Sequence, residues 1–154
     1  MPLLPYSLSL AHTPAILSRT IAHIPPERRS GTREEDRFDL LEMVAHLADS
    51  EAIFSARMRA AVEEDVPEFA RLDMGQRAID ERYAERSLYE ELALFAARRA
   101  ETVAFVEGLT DAELDREFVQ AFGRMSVREF VGVLTGHDLY HLEQASSYLS
   151  ASPH

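Results

Sequence analysis

Apolar residues recur along this chain three and four residues apart, and no stretch alternates apolar with polar for long enough to argue for a strand. Over 88–107 the stripe Leu92, Phe95, Ala96, Val103 and Val106 would face a core, leaving Arg98, Arg99 and Glu101 outward. Over 127–149 a second face collects Phe130, Leu134, His137, His141 and Tyr148. Near residue 40 a third face carries Glu42, His46, Asp49, Ile53 and Ala56, with Met43 and Leu47 bordering His46.

Helix starts are marked by capping boxes, in which Ser, Thr or Asp precedes the helix and Glu follows three residues on, with an apolar pair stapling the entry. Phe38-Asp39-Leu40-Leu41-Glu42-Met43, Leu109-Thr110-Asp111-Ala112-Glu113-Leu114 and Met125-Ser126-Val127-Arg128-Glu129-Phe130 satisfy both rules. Ser87-Leu88-Tyr89-Glu90 has the box alone, and Thr13-Pro14 reads as a cap followed by proline at the first helical position. The predicted helices therefore cover 14–24 (closed by Pro25-Pro26), 40–62, 88–107 and 127–149. Between them lie a charged loop at 27–37, an irregular or weakly helical stretch at 63–86 broken by Pro67 and Gly75, and turns at 111–114 and Gly123. Four long amphipathic helices in one small domain predict an all-α four-helix bundle.

A chain of 154 residues fits one domain, and such a domain buries roughly 70% of its unfolded surface, so it needs no staple. There is no Cys, which excludes disulfides, Cys-ligated zinc and a cysteine nucleophile; all sixteen basic residues are Arg, which excludes a lysine Schiff base. A net charge of -11 argues against nucleic acid and anionic membrane surfaces as partners. The apolar start MPLLPYSLSLAHT has no basic residue before Arg19 and is broken by Pro2, Pro5 and Pro14, a poor signal peptide. No run approaches the ~20 apolar residues of a membrane span. A cytoplasmic protein is expected.

His137 and His141, at i and i+4, project side by side from adjacent turns of the last helix, which suits two ligands on one metal. If the second and last long helices pack face to face, His46 joins them, and three neutral imidazoles leave a coordination position for water or substrate. Six histidines in such a chain produce an HxxxH pair by chance in roughly one case in five, and a lone core histidine is often satisfied by a carboxylate. His12, His23 and His154 lie near termini or helix ends and are expected at the surface. The run His137-Asp138-Leu139-Tyr140-His141 places Asp where a zincin protease needs a Glu base, and the Glu-x-x-His pairs of a di-iron carboxylate bundle are absent.

These motifs resemble the DinB-like (DNA-damage-inducible) metalloprotein superfamily. The matching stretches are Phe38 through Glu51, with His46 at their centre, Gly136-His137-Asp138-Leu139-Tyr140-His141-Leu142-Glu143-Gln144, and the turn Phe122-Gly123-Arg124-Met125-Ser126-Val127-Arg128. The resemblance covers nearly the whole chain. It implies a four-helix bundle with a three-histidine site for one divalent metal ion, zinc or nickel, carried over to His46, His137 and His141. It also implies a homodimer and thiol-dependent transferase or isomerase chemistry with low-molecular-weight thiols such as mycothiol or bacillithiol. One departure is Phe38, where many members carry Trp.

The resulting expectation is a metal-dependent enzyme acting on a small-molecule substrate by activating a small thiol or a water, with a non-catalytic metal-binding or sensing module as the alternative. Asp138, Asp49 and Glu42 are candidates to hold the outer imidazole nitrogens or to shuttle protons. Gln144 would bind a ligand or fill a polar gap. The 63–86 stretch, with Arg71, Arg77 and Tyr83, would cover the pocket, and its arginines would suit an anionic substrate.

Overall fold

The computed structural model describes residues 4–33 and 37–150, with side chains from Tyr6 onward. Four long helices dominate it: α1 (Leu4–Ala22), α2 (Leu40–Glu63), α4 (Leu88–Glu107) and α6 (Val127–Ser146), with the short helices α3 (Met74–Asp80) and α5 (Asp111–Leu114) between them. Asp39, Thr110 and Ser126 each accept the backbone N–H three residues on while Glu42, Glu113 and Glu129 reach back, so three predicted capping boxes form in full. Ser87 accepts from the Glu90 N–H. His12 and His23 are exposed, and His154 lies outside the described residues.

Helix directions follow from which part of the core each helix meets first. One apolar cluster gathers Leu17, Ile21, Leu40, Leu47, Phe95 and Tyr148; the other gathers Leu10, Met58, Val106, Phe118, Phe130 and Leu134. Helices α2 and α4 pass from the first to the second, and α1 and α6 pass the opposite way. Neighbouring α2 and α4 are thus parallel, with Ala48 and Glu51 bonded to Arg98 and Arg99, and Arg59 over the Phe105 ring further on. Helix α1 packs against α4 and α6, and α2 against α4 and α6, so consecutive α1 and α2 lie across a diagonal, as do α4 and α6.

Between the two clusters runs a charged layer. Arg99, 1% exposed, reaches all four helices. Its guanidinium donates to both oxygens of Glu51 on α2 at 2.8 and 2.9 Å, to both oxygens of Asp138 on α6 at 2.5 and 2.8 Å, and to the Leu10 carbonyl on α1 at 3.0 Å. Burial alone would lower the Arg99 pKa, but the two carboxylates outweigh it and hold the pKa above its usual value. The expected outward position of Arg99 is therefore wrong: the buried stripe of α4 is Leu92, Phe95, Arg99, Thr102 and Val106, and Ala96 is exposed.

The same layer explains the second correction. Helix α1 starts at Leu4 rather than at Pro14, and Pro14 sits inside it. A proline there cannot donate to the carbonyl four residues back, a defect that ordinarily costs about 3 kcal/mol. That carbonyl belongs to Leu10, and Arg99 supplies the missing donor. Thr13 is not a cap; its hydroxyl donates to Asp138 at 2.5 Å.

A third difference is a small antiparallel hairpin, β1 (Glu117–Gln120) and β2 (Gly123–Ser126), where the sequence predicted only a turn. Strands of four residues are too short for alternation to show. Gly123, with φ +103, allows the tight reversal. Phe118 anchors the hairpin against Phe130, ring centroids 5.2 Å apart. Among the described residues no helix is long and apolar enough to cross a membrane.

Candidate metal centre

Helices α2 and α6 run antiparallel, and this brings His46 opposite the turn that carries His137 and His141. The His137 Nε2 lies 3.2 Å from the Nε2 of His46 and 3.2 Å from that of His141. Ligand nitrogens of the three rings all fall within 4.8 Å of one another. His46 and His141 are buried, and His137 is half-buried facing a cleft.

The state of the rings can be worked out from their partners. Gln144 donates its amide to the Phe38 carbonyl at 2.8 Å, so its Oε1 must be the atom facing His141 Nδ1 at 3.0 Å. His141 therefore carries its proton on Nδ1 and turns an Nε2 lone pair toward the other two rings. Burial, reinforced by the neighbouring imidazoles, pushes the His46 pKa down to about 3 and that of His141 to about 4; burial also lowers that of His137. At neutral pH all three rings are uncharged.

This donor set fits a divalent ion. Nitrogens bound at about 2.0–2.1 Å in a tetrahedral arrangement lie roughly 3.3 Å apart; the His137 Nε2 stands 3.2 Å from each of the other two, and all three lie within 4.8 Å of one another. Three neutral imidazoles meeting through Nε2 have lone pairs to share and too few protons to satisfy one another. Among the described residues the buried His46 Nδ1 has no hydrogen-bond partner.

Neither Asp138 nor Asp49 bonds an imidazole among the described residues. Asp138 is held by Arg99 and Thr13, one residue from His137. Asp49 accepts from Arg77 through both oxygens and from the Tyr83 hydroxyl, and these bonds hold its pKa below the usual value against the opposing effect of burial. Arg77 and Tyr83 thereby clamp the 64–87 segment onto α2, where Tyr83 packs with Ala45 and Ala78. Glu42 is occupied in the cap of α2.

Sequence reasoning missed the role of Gln144 in fixing the His141 tautomer, although its i+3 spacing from His141 was available. It also missed Arg57 and Gln120, which line the cleft with the histidines. The cleft measures about 1070 Å³ and opens between α2, α6, the hairpin and the 64–87 segment. Its apolar wall includes Ile53, Phe54, Leu72 and Phe130.

A helical bundle with parallel neighbours and a three-histidine cluster open to a cleft defines a narrow class of fold and site. Residues 9–145 match the DinB superfamily, and the chain belongs to it. A protein of Oceanobacillus iheyensis, provisionally named a metal-dependent hydrolase, is 28% identical over 137 residues, covering 87% of this chain and 78% of the relative. Among solved structures, YfiT from Bacillus subtilis, described as a probable metal-dependent hydrolase with an unusual four-helix bundle topology, superposes with a TM-score of 0.87 at 18% identity, over 94% of this chain and 83% of that one. A mycothiol-dependent maleylpyruvate isomerase superposes with a TM-score of 0.77 at 11% identity, over 99% of this chain and 62% of the other. These likenesses establish the bundle topology.

Proposed function

We propose that this chain is a metal-dependent enzyme in which His46, His137 and His141 hold one divalent ion, zinc or nickel, at the floor of the cleft. The observation that carries the reading is the convergence of three uncharged imidazoles, the His137 Nε2 3.2 Å from that of each neighbour, where a cleft meets them. A bound divalent ion lowers the pKa of a coordinated water to about 7 and deprotonates a thiol outright. Gln144 orients His141, and the aromatic rings of Phe38 and Phe54 hold His46 and His137 from their flanks, with centroids 5.2 and 5.6 Å away. Asp138 and Asp49 are positioning residues, the first bracing α6 through Arg99, the second holding the 64–87 segment over the cleft. The names of the relatives support activation of water for hydrolysis, or of a small thiol for transfer or isomerisation.

Elemental analysis of the purified full chain is expected to find one metal per chain, lost in the His46→Ala/His137→Ala/His141→Ala variant. Equal metal content in both would sink the reading. Metal-loaded protein is then screened against esters and amides, with and without low-molecular-weight thiols. Stoichiometric metal with no turnover in either screen would mark a binding or sensing module instead.

A further inference from the structure

The cleft that the histidines line also carries Arg57 and Arg71, in a protein of net charge -11. Arg57 lies eleven residues past His46 on α2, three turns on and on the same face, roughly 16 Å along the axis. Its guanidinium donates to the Gln120 Oε1 at 2.8 Å and to the Ala70 carbonyl at 3.3 Å, and it covers the Phe69 ring at 5.2 Å. Among the described residues no carboxylate pairs with it, unlike Arg77 and Arg99 in the same bundle. Burial without such a partner keeps its pKa below the usual guanidinium value. Gln120 is only 6% exposed, and its amide nitrogen meets nothing better than the Met125 sulfur at 3.9 Å. Arg71 lines the same cleft and bonds nothing among the described residues. Asp73, also on the wall, is engaged as the N-cap of α3.

We infer that Arg57, Arg71 and Gln120 form an oxyanion subsite for the far end of the substrate: a small molecule bearing a carboxylate or phosphate at one end, an apolar middle, and its reacting group at the histidines. Guanidinium forks recognise both anions through paired hydrogen bonds. The Gln120 amide adds N–H donors whose present partner is only the Met125 sulfur at 3.9 Å, which an oxyanion oxygen would satisfy better. Ile53 and Phe54 lie between His46 and Arg57 along α2, and with Leu72 they give the cleft an apolar wall that suits a chain of several carbons. Cleft volume is adequate for such a ligand. This inference rests on the metal-centre reading for the position of the reacting end, and on the cleft alone for the anion.

The test uses metal-loaded full chain and two probes, suberic acid monohydroxamate and its methyl ester, which share a metal-chelating head and differ only in the charge of the tail. By calorimetry the acid is expected to bind at least about tenfold tighter than the ester. In Arg57→Gln/Arg71→Gln the two should bind alike, with the affinity of the ester unchanged as evidence of an intact fold and centre. Equal affinities in the unaltered protein would overturn the inference, and so would an advantage that survives in the variant. If neither probe binds, the centre offers a chelating head no open position, which leaves the metal content found by elemental analysis untouched. The anion subsite is then decided on metal-free chain by the arginine side-chain NMR signals during titration with suberate. Shifts at Arg57 and Arg71 would sustain it; unmoved signals would overturn it.

Discussion

Arg99→Met removes a buried cation of similar length and shape and leaves behind what that cation satisfies. Both carboxylates it pairs with are buried, Glu51 at 2% and Asp138 at 3% exposure. Removing one partner of a buried ion pair costs about 3–5 kcal/mol, because a charge is left without compensation. The Leu10 carbonyl, opposite the proline ring, loses its donor as well, which adds roughly 1–3 kcal/mol. The sum, about 4–8 kcal/mol, is a large share of the roughly 5–15 kcal/mol that holds an ordinary domain together. Urea unfolding of metal-free protein at neutral pH, followed by circular dichroism, measures the loss. Two further variants separate the contributions. Replacing the whole network with apolar residues (Glu51→Met and Asp138→Leu with Arg99→Met) should recover most of the stability. Pro14→Ala restores an N–H for Leu10, so it should be more favourable in the Arg99→Met background than in the unaltered chain by about 1 kcal/mol. A loss below about 1.5 kcal/mol for Arg99→Met, or an effect of Pro14→Ala that ignores the background, would refute the account of a central cation repairing the helix.

Three other outcomes are expected. Gln144→Ala frees the Nδ1 side of His141 and should weaken metal binding by about 10–100-fold in competition with a chromogenic chelator; unchanged affinity would detach Gln144 from the centre. Asp49→Ala leaves Arg77 and Tyr83 without their acceptor, so limited proteolysis should cut within 64–87 faster while the long helices stay protected. Identical cleavage patterns would show that the clamp is dispensable. Val66 holds φ 43 just before Pro67, a strained conformation for a branched side chain; Val66→Gly should gain up to about 1 kcal/mol and raise Tm by roughly 2–4 °C, and a lower Tm would count against strain there.

Much of the architecture was legible because local chemistry and tertiary packing agree. The boxes at Asp39, Thr110 and Ser126 form as read, and α2, α5 and α6 begin where they predict, while α4 begins after Ser87. The spacing of His137 and His141 on a core-facing stripe suggested a ligand pair, the family resemblance added His46, and the structure brings the three together. The start of α1 was hidden because Pro14 argues locally for a beginning, and only a side chain from α4 makes it tolerable inside a helix. Arg99 was hidden by its type rather than by its position. Residues 92, 95, 99, 102 and 106 alternate steps of three and four, a core stripe with a charge in the middle. Asp138 carried a similar clue, lying beside the histidines with no sequence neighbour to balance it. The partners of both are distant in the chain, and spacing along one helix cannot name them.

The parallel course of α2 and α4 obliges the chain to travel back along the outside of the bundle, on the order of 36 Å for a helix of this length, before it can start again. That return leg carries Arg71 and Leu72 on one wall of the cleft, whereas the three imidazoles all sit on the long helices. Part of the cleft wall is thus written in a stretch of polypeptide separate from the three imidazoles. A change to the return leg can reshape that wall while the helices that carry the imidazoles keep their places, so a bundle wound this way can alter its cleft one connecting segment at a time.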